Sequence, residues 1–217
     1  MSILTKLTRE IAQRTLPASR YVSHMDAELS TESFPPVYLT FDDGPHPERT
    51  PPILDQLSKI GAKATFFVLG TEAKKHPDIV QRIIKDGHSV GTHTWSHMSA
   101  YKAPLSKWLL DTDRARNEIE QLISNPCRLF RPPYGELTPR SLICLLKNNY
   151  RIIHWSADTK DFEAQTTNQL KEWFTNNFPQ PGEVVLMHDC VELTALNLSG
   201  YCDIWKDHAD FKAIPID

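Results

Sequence analysis

No stretch of this 217-residue chain approaches the run of about 18 apolar residues needed to cross a bilayer. The opening MSILTKLTREIAQRTLP also lacks the continuous apolar stretch of a secretory leader, so a cytoplasmic protein is the expectation. Charge of one sign is scarce as well. With 24 Lys and Arg against 27 Asp and Glu, the net charge is -3, which gives no general attraction to nucleic acid or anionic lipid. The four cysteines, Cys127, Cys144, Cys190 and Cys202, form no CxxC pair, which argues against a zinc knuckle or a small disulfide framework. They read as free thiols, with a Cys190–Cys202 pair left open for an oxidising compartment. Neither GxGxxG nor GxxxxGK followed by Ser or Thr occurs, which removes the commonest phosphate cradles, and no GxSxG nucleophile elbow is present. What remains is 40% hydrophobic and 24% charged, an ordinary globular composition at a length that suits one large α/β domain.

At the N-terminus Ile3, Leu4, Leu7 and Ile11 recur at helical spacing among Lys6, Arg9 and Arg14. A short amphipathic helix follows, whose small apolar face favours docking on its own domain or on a twin subunit, as an oligomer contact, over lying on a membrane. The polar stretch from Ser19 to Pro36 reads as a linker. Residues 1–36 are therefore assigned to helix and linker, and residues 37–217 to the domain proper.

From Val37 strands and helices alternate. Strands are predicted at 37–41, 64–69, 88–91, 128–131, 150–155 and 183–187. Between them fall a helix opened by Pro51 and Pro52 and stopped by Gly61, then helices at 77–86, 105–123, 139–147 and 168–178. Strands separated by helices of this length make parallel βαβ units, and their number favours a closed or nearly closed barrel.

The reactive side chains gather where the predicted strands end: Asp42 and Asp43, His93 and His97, Arg131, Asp158 and Asp161, His188 and Asp189. In a parallel barrel those ends share one rim, where active sites are built. Asp-Asp-Gly alone is also an ordinary turn, and HxxxH alone is also what two surface histidines one turn apart look like. Together, two imidazoles and one carboxylate make a three-ligand metal site with positions left for water and substrate. The second aspartate, kept ionised beside the cation, can act as general base. His188 suits protonation of a departing nitrogen near neutral pH, with Asp161 as the carboxylate that orients it. The two prolines of FRPPYG stiffen a loop that can aim a backbone N–H at a developing oxyanion, and Arg131 can pair with a site aspartate.

The series TFDDGP (40–45), HTWSH (93–97), RPPYG (131–135), DTKDF (158–162) and LMHD (186–189) closely resembles the polysaccharide deacetylases of the NodB-homology, carbohydrate esterase family 4 type. The resemblance spans Val37 to Asp189. It implies a distorted (β/α)7-type barrel with parallel strands, and metal-dependent hydrolysis of N-acetyl groups on amino sugars such as those of a chito-oligosaccharide. It also implies a role for each residue. Asp42 is the general base; Asp43, His93 and His97 bind a divalent ion, zinc first with cobalt or nickel as alternatives. Arg131 positions Asp42, the Tyr134 N–H assists at the carbonyl, and His188 is the general acid tuned by Asp161. Trp155, Leu186 and Pro132 flank the acetyl pocket. The chain departs from the family pattern at Phe162, where Trp is usual, and in the 28 residues after Asp189, which look short for the expected helix-and-strand ending. The lack of a leader favours a small cytoplasmic substrate over cell wall.

Three alternatives stand beside this reading. A deformylase or other amide hydrolase of the same superfamily shares the chemistry. A non-haem Fe(II) oxygenase also uses two His and one carboxylate, and His76-Pro77-Asp78 offers an HxD pair. A non-catalytic sugar-binding relative is disfavoured because base, ligands and acid are all present.

Overall fold

The computed structural model describes residues 3–25 and 34–216; the middle of the expected linker, residues 26–33, lies outside the described residues. In chain order the elements are α1 (Ile3–Thr15), β1 (Tyr21–Val22), β2 (Pro36–Asp42), α2 (Thr50–Lys59), β3 (Ala64–Val68), α3 (Gly70–Lys75), α4 (Pro77–Lys85), β4 (Ser89–Thr92) and α5 (Leu105–Ile123). After these come β5 (Leu129–Phe130), a 3-10 turn (Pro133–Gly135), α6 (Pro139–Lys147), β6 (Arg151–Ile153), β7 (Ala157–Asp158), α7 (Thr167–Asn176), β8 (Val184–His188), α8 (Glu192–Cys202) and β9 (Asp210–Phe211).

The sheet is parallel throughout and ordered β1-β6-β5-β4-β3-β2-β8-β7, with β9 added beside the start of β2. Its central strands are apolar and covered on both faces, as a parallel sheet demands. Val37, Leu39 and Phe41 of β2 and Phe66 and Val68 of β3 are all buried. The helices follow local rules: α2 begins on Pro51 and Pro52 and buries Ile53, Leu54 and Leu57, while α6 and α7 each open with a reciprocal capping box, Thr138 with Ser141 and Thr166 with Gln169.

The end strands β1 and β7 are not neighbours in the hydrogen-bonded path, so this is a distorted, curled barrel. The gap narrows just past β1, where His24 bridges Glu183 and the Met25 N–H donates to the Gly182 carbonyl at 2.8 Å. Gly182 permits that approach, because a Cβ there would lie 1.9 Å from the Met25 oxygen.

Three expectations need correction. Within the stretch read as linker, Tyr21–Val22 is a strand paired to β6; two residues carry no periodicity, so no pattern announces it. The tail after Asp189 contains both a helix, α8, and a strand, β9. Its helix is apolar on more than one side and kinked at Asn197, which hides it from a search for one apolar stripe. Finally, α1 forms but docks through the other face: Thr5, Thr8 and Ala12 are buried, whereas Ile3, Leu4, Leu7 and Ile11 are 87, 45, 51 and 52% exposed. The small inner residues let the helix come close, and Thr8 satisfies its hydroxyl on the Leu4 carbonyl. All four cysteines are free thiols. Among the described residues no helix is long and apolar enough to cross a membrane.

Candidate active site

β2 carries its apolar run to the rim and stops at Asp42; the next residue, Asp43, takes a positive φ of 75° that turns the chain across the strand ends. His93 directly follows β4, and His97 sits four residues on, also at positive φ. The Asp43 Oδ1 atom lies 3.6 Å from His93 Nε2 and 3.4 Å from His97 Nε2. Four-coordinate zinc with bonds of about 2.0–2.1 Å holds its donors about 3.3 Å apart, so the three groups stand close to the spacing one cation imposes. Two further observations fit a cation. Asp43 Oδ1 is buried with no hydrogen-bond partner among the described residues. The other ring nitrogen of His93 lies 2.7 Å from the Arg131 carbonyl, which fixes the proton on Nδ1 and leaves the Nε2 lone pair facing Asp43. Burial pulls the His93 pKa down to about 3, against the nearby Asp43 charge, so the ring is the neutral species that ligates. Among the described residues these three form the one grouping suited to a metal. His76 and Asp78, the HxD alternative, lie at the start of α4 and outside it.

Asp42 flanks the ligand set: its Oδ2 lies 3.8 Å from His93 Nε2, while its other oxygen turns to Arg131. Its Oδ1 accepts from Arg131 Nη1 at 2.8 Å, and the same guanidinium donates to Thr40 Oγ1 (2.7 Å), the Ile153 carbonyl (3.2 Å) and the His154 carbonyl (3.1 Å) while stacking on Phe67. Arg131 is thus fully buried with a partner for each of its three nitrogens, the condition under which a buried ion pair persists. Burial pushes the Asp42 carboxyl above its ordinary value, and Arg131 pulls it back toward the ionised form.

β8 supplies the partner. His188 is the register partner of Asp42 on adjacent parallel strands, which run about 4.8 Å apart. Its Nδ1 lies 2.7 Å from Asp161 Oδ1, and its backbone N–H and the Thr194 hydroxyl both donate to Asp161 Oδ2 at 2.7 Å. Burial pulls the imidazole pKa down, but the Asp161 hydrogen bond and charge, with Asp42 and Asp43 behind them, outweigh it and raise the pKa to about 9. The ring is therefore a cation at neutral pH with Nε2–H unused by Asp161.

Between these groups lies a cavity of about 430 Å³ lined by the five residues Asp42, Asp43, His93, His97 and His188 together with Pro132, Tyr134, Trp155 and Leu186. Tyr134 adopts a left-handed backbone, and its ring packs edge-on to His97 at 4.5 Å. Every site residue read from the sequence lines this cavity except Arg131 and Asp161, which act from beneath it. Cys190 and Val191 also line it and were not foreseen; Cys190 carried no signal beyond following LMHD. Asp189 went unassigned too: it is buried, accepts from Thr50 Oγ1 at 2.7 Å, and burial raises its pKa to about 7.

A family model described as polysaccharide deacetylase matches residues 30–153. A peptidoglycan-N-acetylglucosamine deacetylase of Bacillus cereus is 39% identical over 153 residues, which cover 70% of this chain and 55% of that protein. A chitooligosaccharide deacetylase of Azorhizobium caulinodans is 34% identical over 171 residues, covering 73% of this chain and 76% of that one. Among solved structures, a peptidoglycan N-acetylglucosamine deacetylase in complex with 4-naphthalen-1-yl-N-oxidanyl-benzamide superposes with a TM-score of 0.78, at 32% identity and over 91% of both chains. The chain thus spans only about half the length of the first of these relatives.

Proposed function

The chain belongs to the polysaccharide deacetylase family, and on that premise we propose that it is a metal-dependent hydrolase that removes the N-acetyl group from an amino sugar of a glycan. Members of the family are metal-dependent in general, and Asp43, His93 and His97 would hold the ion here, with zinc the metal we favour. A divalent cation supplies Lewis acidity, drawing charge from a carbonyl oxygen or a water.

The protein groups divide the proton work. Asp42, raised toward the operating pH by burial and held by Arg131, accepts the proton of the attacking water. As the water oxygen bonds to the acyl carbon and the C–N bond breaks, His188 gives its Nε2 proton to the departing amine. Asp161, fixed by three hydrogen bonds, keeps that imidazole oriented and charged beforehand. The acid product passes the second proton of the water to the freed amine, so acetate and an ammonium sugar result, and the proton taken by Asp42 balances the one given by His188. The Tyr134 N–H serves as oxyanion donor in this reading, and Trp155, Leu186 and Pro132 enclose the acyl group.

The observation that carries the proposal is the buried Asp43 oxygen without a hydrogen-bond partner among the described residues, set between two imidazole nitrogens and beside the Asp42–His188 register pair. The names of the relatives point to N-acetylglucosamine units of peptidoglycan or chito-oligosaccharide. The test is removal of metal with a chelator and readdition of zinc, cobalt or nickel. Acetate release from N-acetylglucosamine oligomers is followed beside formate release from N-formyl analogues. Activity that returns with metal and yields acetate supports the reading; formate release alone overturns it.

A further inference from the structure

The N-terminal helix lies outside the residues that the family model matches, yet its inner face packs on the walls of the site. The Arg9 guanidinium stands 5.3 Å from the centroid of the Trp155 ring, and Trp155 lines the cavity. The turn after Tyr134 closes on the same indole: a Cβ added to Gly135, at φ +63°, would fall 2.8 Å from the Trp155 ring and 3.5 Å from Arg9 Nη1. Loop, indole and guanidinium therefore meet at a point where only a residue without a side chain fits.

Behind Trp155 lies His154, fully buried, its ring 5.6 Å from Trp155 and 5.4 Å from Tyr21. Burial first, then the charges of Arg9 and Arg131, drive its pKa well below the ordinary value, so the His154 ring is neutral, and the buried Arg131 guanidinium stands 5.7 Å from the same indole. A second tie runs along the helix. Thr5 Oγ1 donates to Tyr101 OH at 2.8 Å, and Tyr101 OH donates to the Leu137 carbonyl at 3.2 Å. Tyr101 lies four residues beyond His97, and Leu137 three beyond Tyr134, so one helix braces both loops. His97 and Tyr134 both hold positive φ, a conformation that persists in such residues only when the surroundings over-determine it.

We propose that Arg9 is a positioning residue for the substrate pocket: from α1 it holds the Trp155 indole in place and so sets substrate affinity rather than rate. This rests on the reading of Trp155 as a wall of the acyl pocket. The test uses the full chain with Arg9→Ala and Arg9→Lys, each alone and combined with Trp155→Phe, and with Lys6→Ala on the exposed side of α1 as control. Arg9→Ala raises KM for an N-acetylglucosamine oligomer about 2- to 30-fold, the range a cation–π contact supports as it goes from exposed to desolvated, with kcat nearly unchanged. Arg9→Lys recovers part of that affinity, and Lys6→Ala changes nothing. Independently of activity, Arg9→Ala shifts the intrinsic tryptophan emission, and the shift vanishes in the Trp155→Phe background. An emission unchanged by Arg9→Ala, a shift that survives Trp155→Phe, or an unchanged KM in an active enzyme overturns the proposal. If the unaltered protein releases no acetate, the hydrolase reading falls, while the emission cycle still decides the Arg9–Trp155 contact. Should Arg9→Ala fail to fold, Arg9→Lys carries the same cycle.

Discussion

The two halves of the rim are finished to different degrees. On the β2–β4 side, Asp43 lies 3.6 Å from His93 and 3.4 Å from His97, with a buried oxygen that has no hydrogen-bond partner among the described residues. On the side of the proton-transfer groups, Asp42 is tied to Arg131, and Asp161 accepts three hydrogen bonds from His188 and Thr194. In the proposed reaction the contrast follows from what each half would have to do. A ligand set completed by protein hydrogen bonds would have to break them to take a cation, whereas a base and an acid need fixed geometry and a set pKa before the substrate arrives.

The sharpest way to break this contrast is Asp43→Asn. Loss of the anionic ligand should abolish zinc binding, read by metal content after dialysis, and take hydrolysis to background while the fold is kept. Asp42→Asn should do the reverse on the metal side, retaining zinc at full stoichiometry while kcat falls by about 10²- to 10⁴-fold, the usual contribution of a general base. If both variants keep metal and turnover, the division between the halves is wrong.

Asp161→Asn tests how the acid is set. In the intact protein His188 titrates at about 9, so activity should hold to alkaline pH and fall as pH rises through that value. Without Asp161 the imidazole returns toward its unperturbed value of about 6.5, and its protonated fraction at pH 8 drops from about 90% to about 3%, a loss of roughly 30-fold in rate. The alkaline limb of the pH–rate profile moves down with it, and an unmoved limb would remove His188 from the acid role. Stability carries the same sign. A histidine whose folded pKa is raised stabilises the fold fully below about pH 6.5, and that contribution is lost as pH rises toward 9. Thermal melts of Asp161→Asn should therefore lack this slope between the two values.

The smallest effect belongs to Phe162→Trp, which restores the residue usual in the family. The Phe162 ring already packs edge-on to His188 at 5.4 Å and is 58% exposed. Little burial is at stake, so kcat/KM should stay within about threefold of its original value, in keeping with the small effects of surface substitutions. A larger change would show that the indole N–H makes a contact the phenyl ring cannot.

Much of this was legible in order. Strong periodic segments such as Leu105–Ile123, and apolar runs such as Val37 to Phe41 ending in Gly-Pro, announce element and boundary together. The short pieces were not. Tyr21–Val22, Ala157–Asp158 and Asp210–Phe211 are two-residue strands with no pattern of their own, made into strands by the edges they meet. The site was legible because its residues sit at strand ends, where sequence position predicts location. Cys190 and Arg9 were not, because nothing local distinguishes them, and Asp189 was placed at a strand end but given no role.

Taken alone, the sequence determined that strands alternate with helices, that each strand ends in chemistry, and that the five motifs belong to one series. Those are properties of adjacent residues and of spacing, which the chain carries whether folded or not. Only the tertiary structure decided which atoms meet. It set the Asp43 oxygen between two imidazoles with no hydrogen-bond partner among the described residues, gave Arg131 to Asp42, and turned the threonine face of α1 inward so that Arg9 reaches Trp155 while four apolar side chains stay outside. That choice depends on close packing against loops far away in sequence, and helical periodicity, which reports only that two faces differ, cannot say which one will be buried.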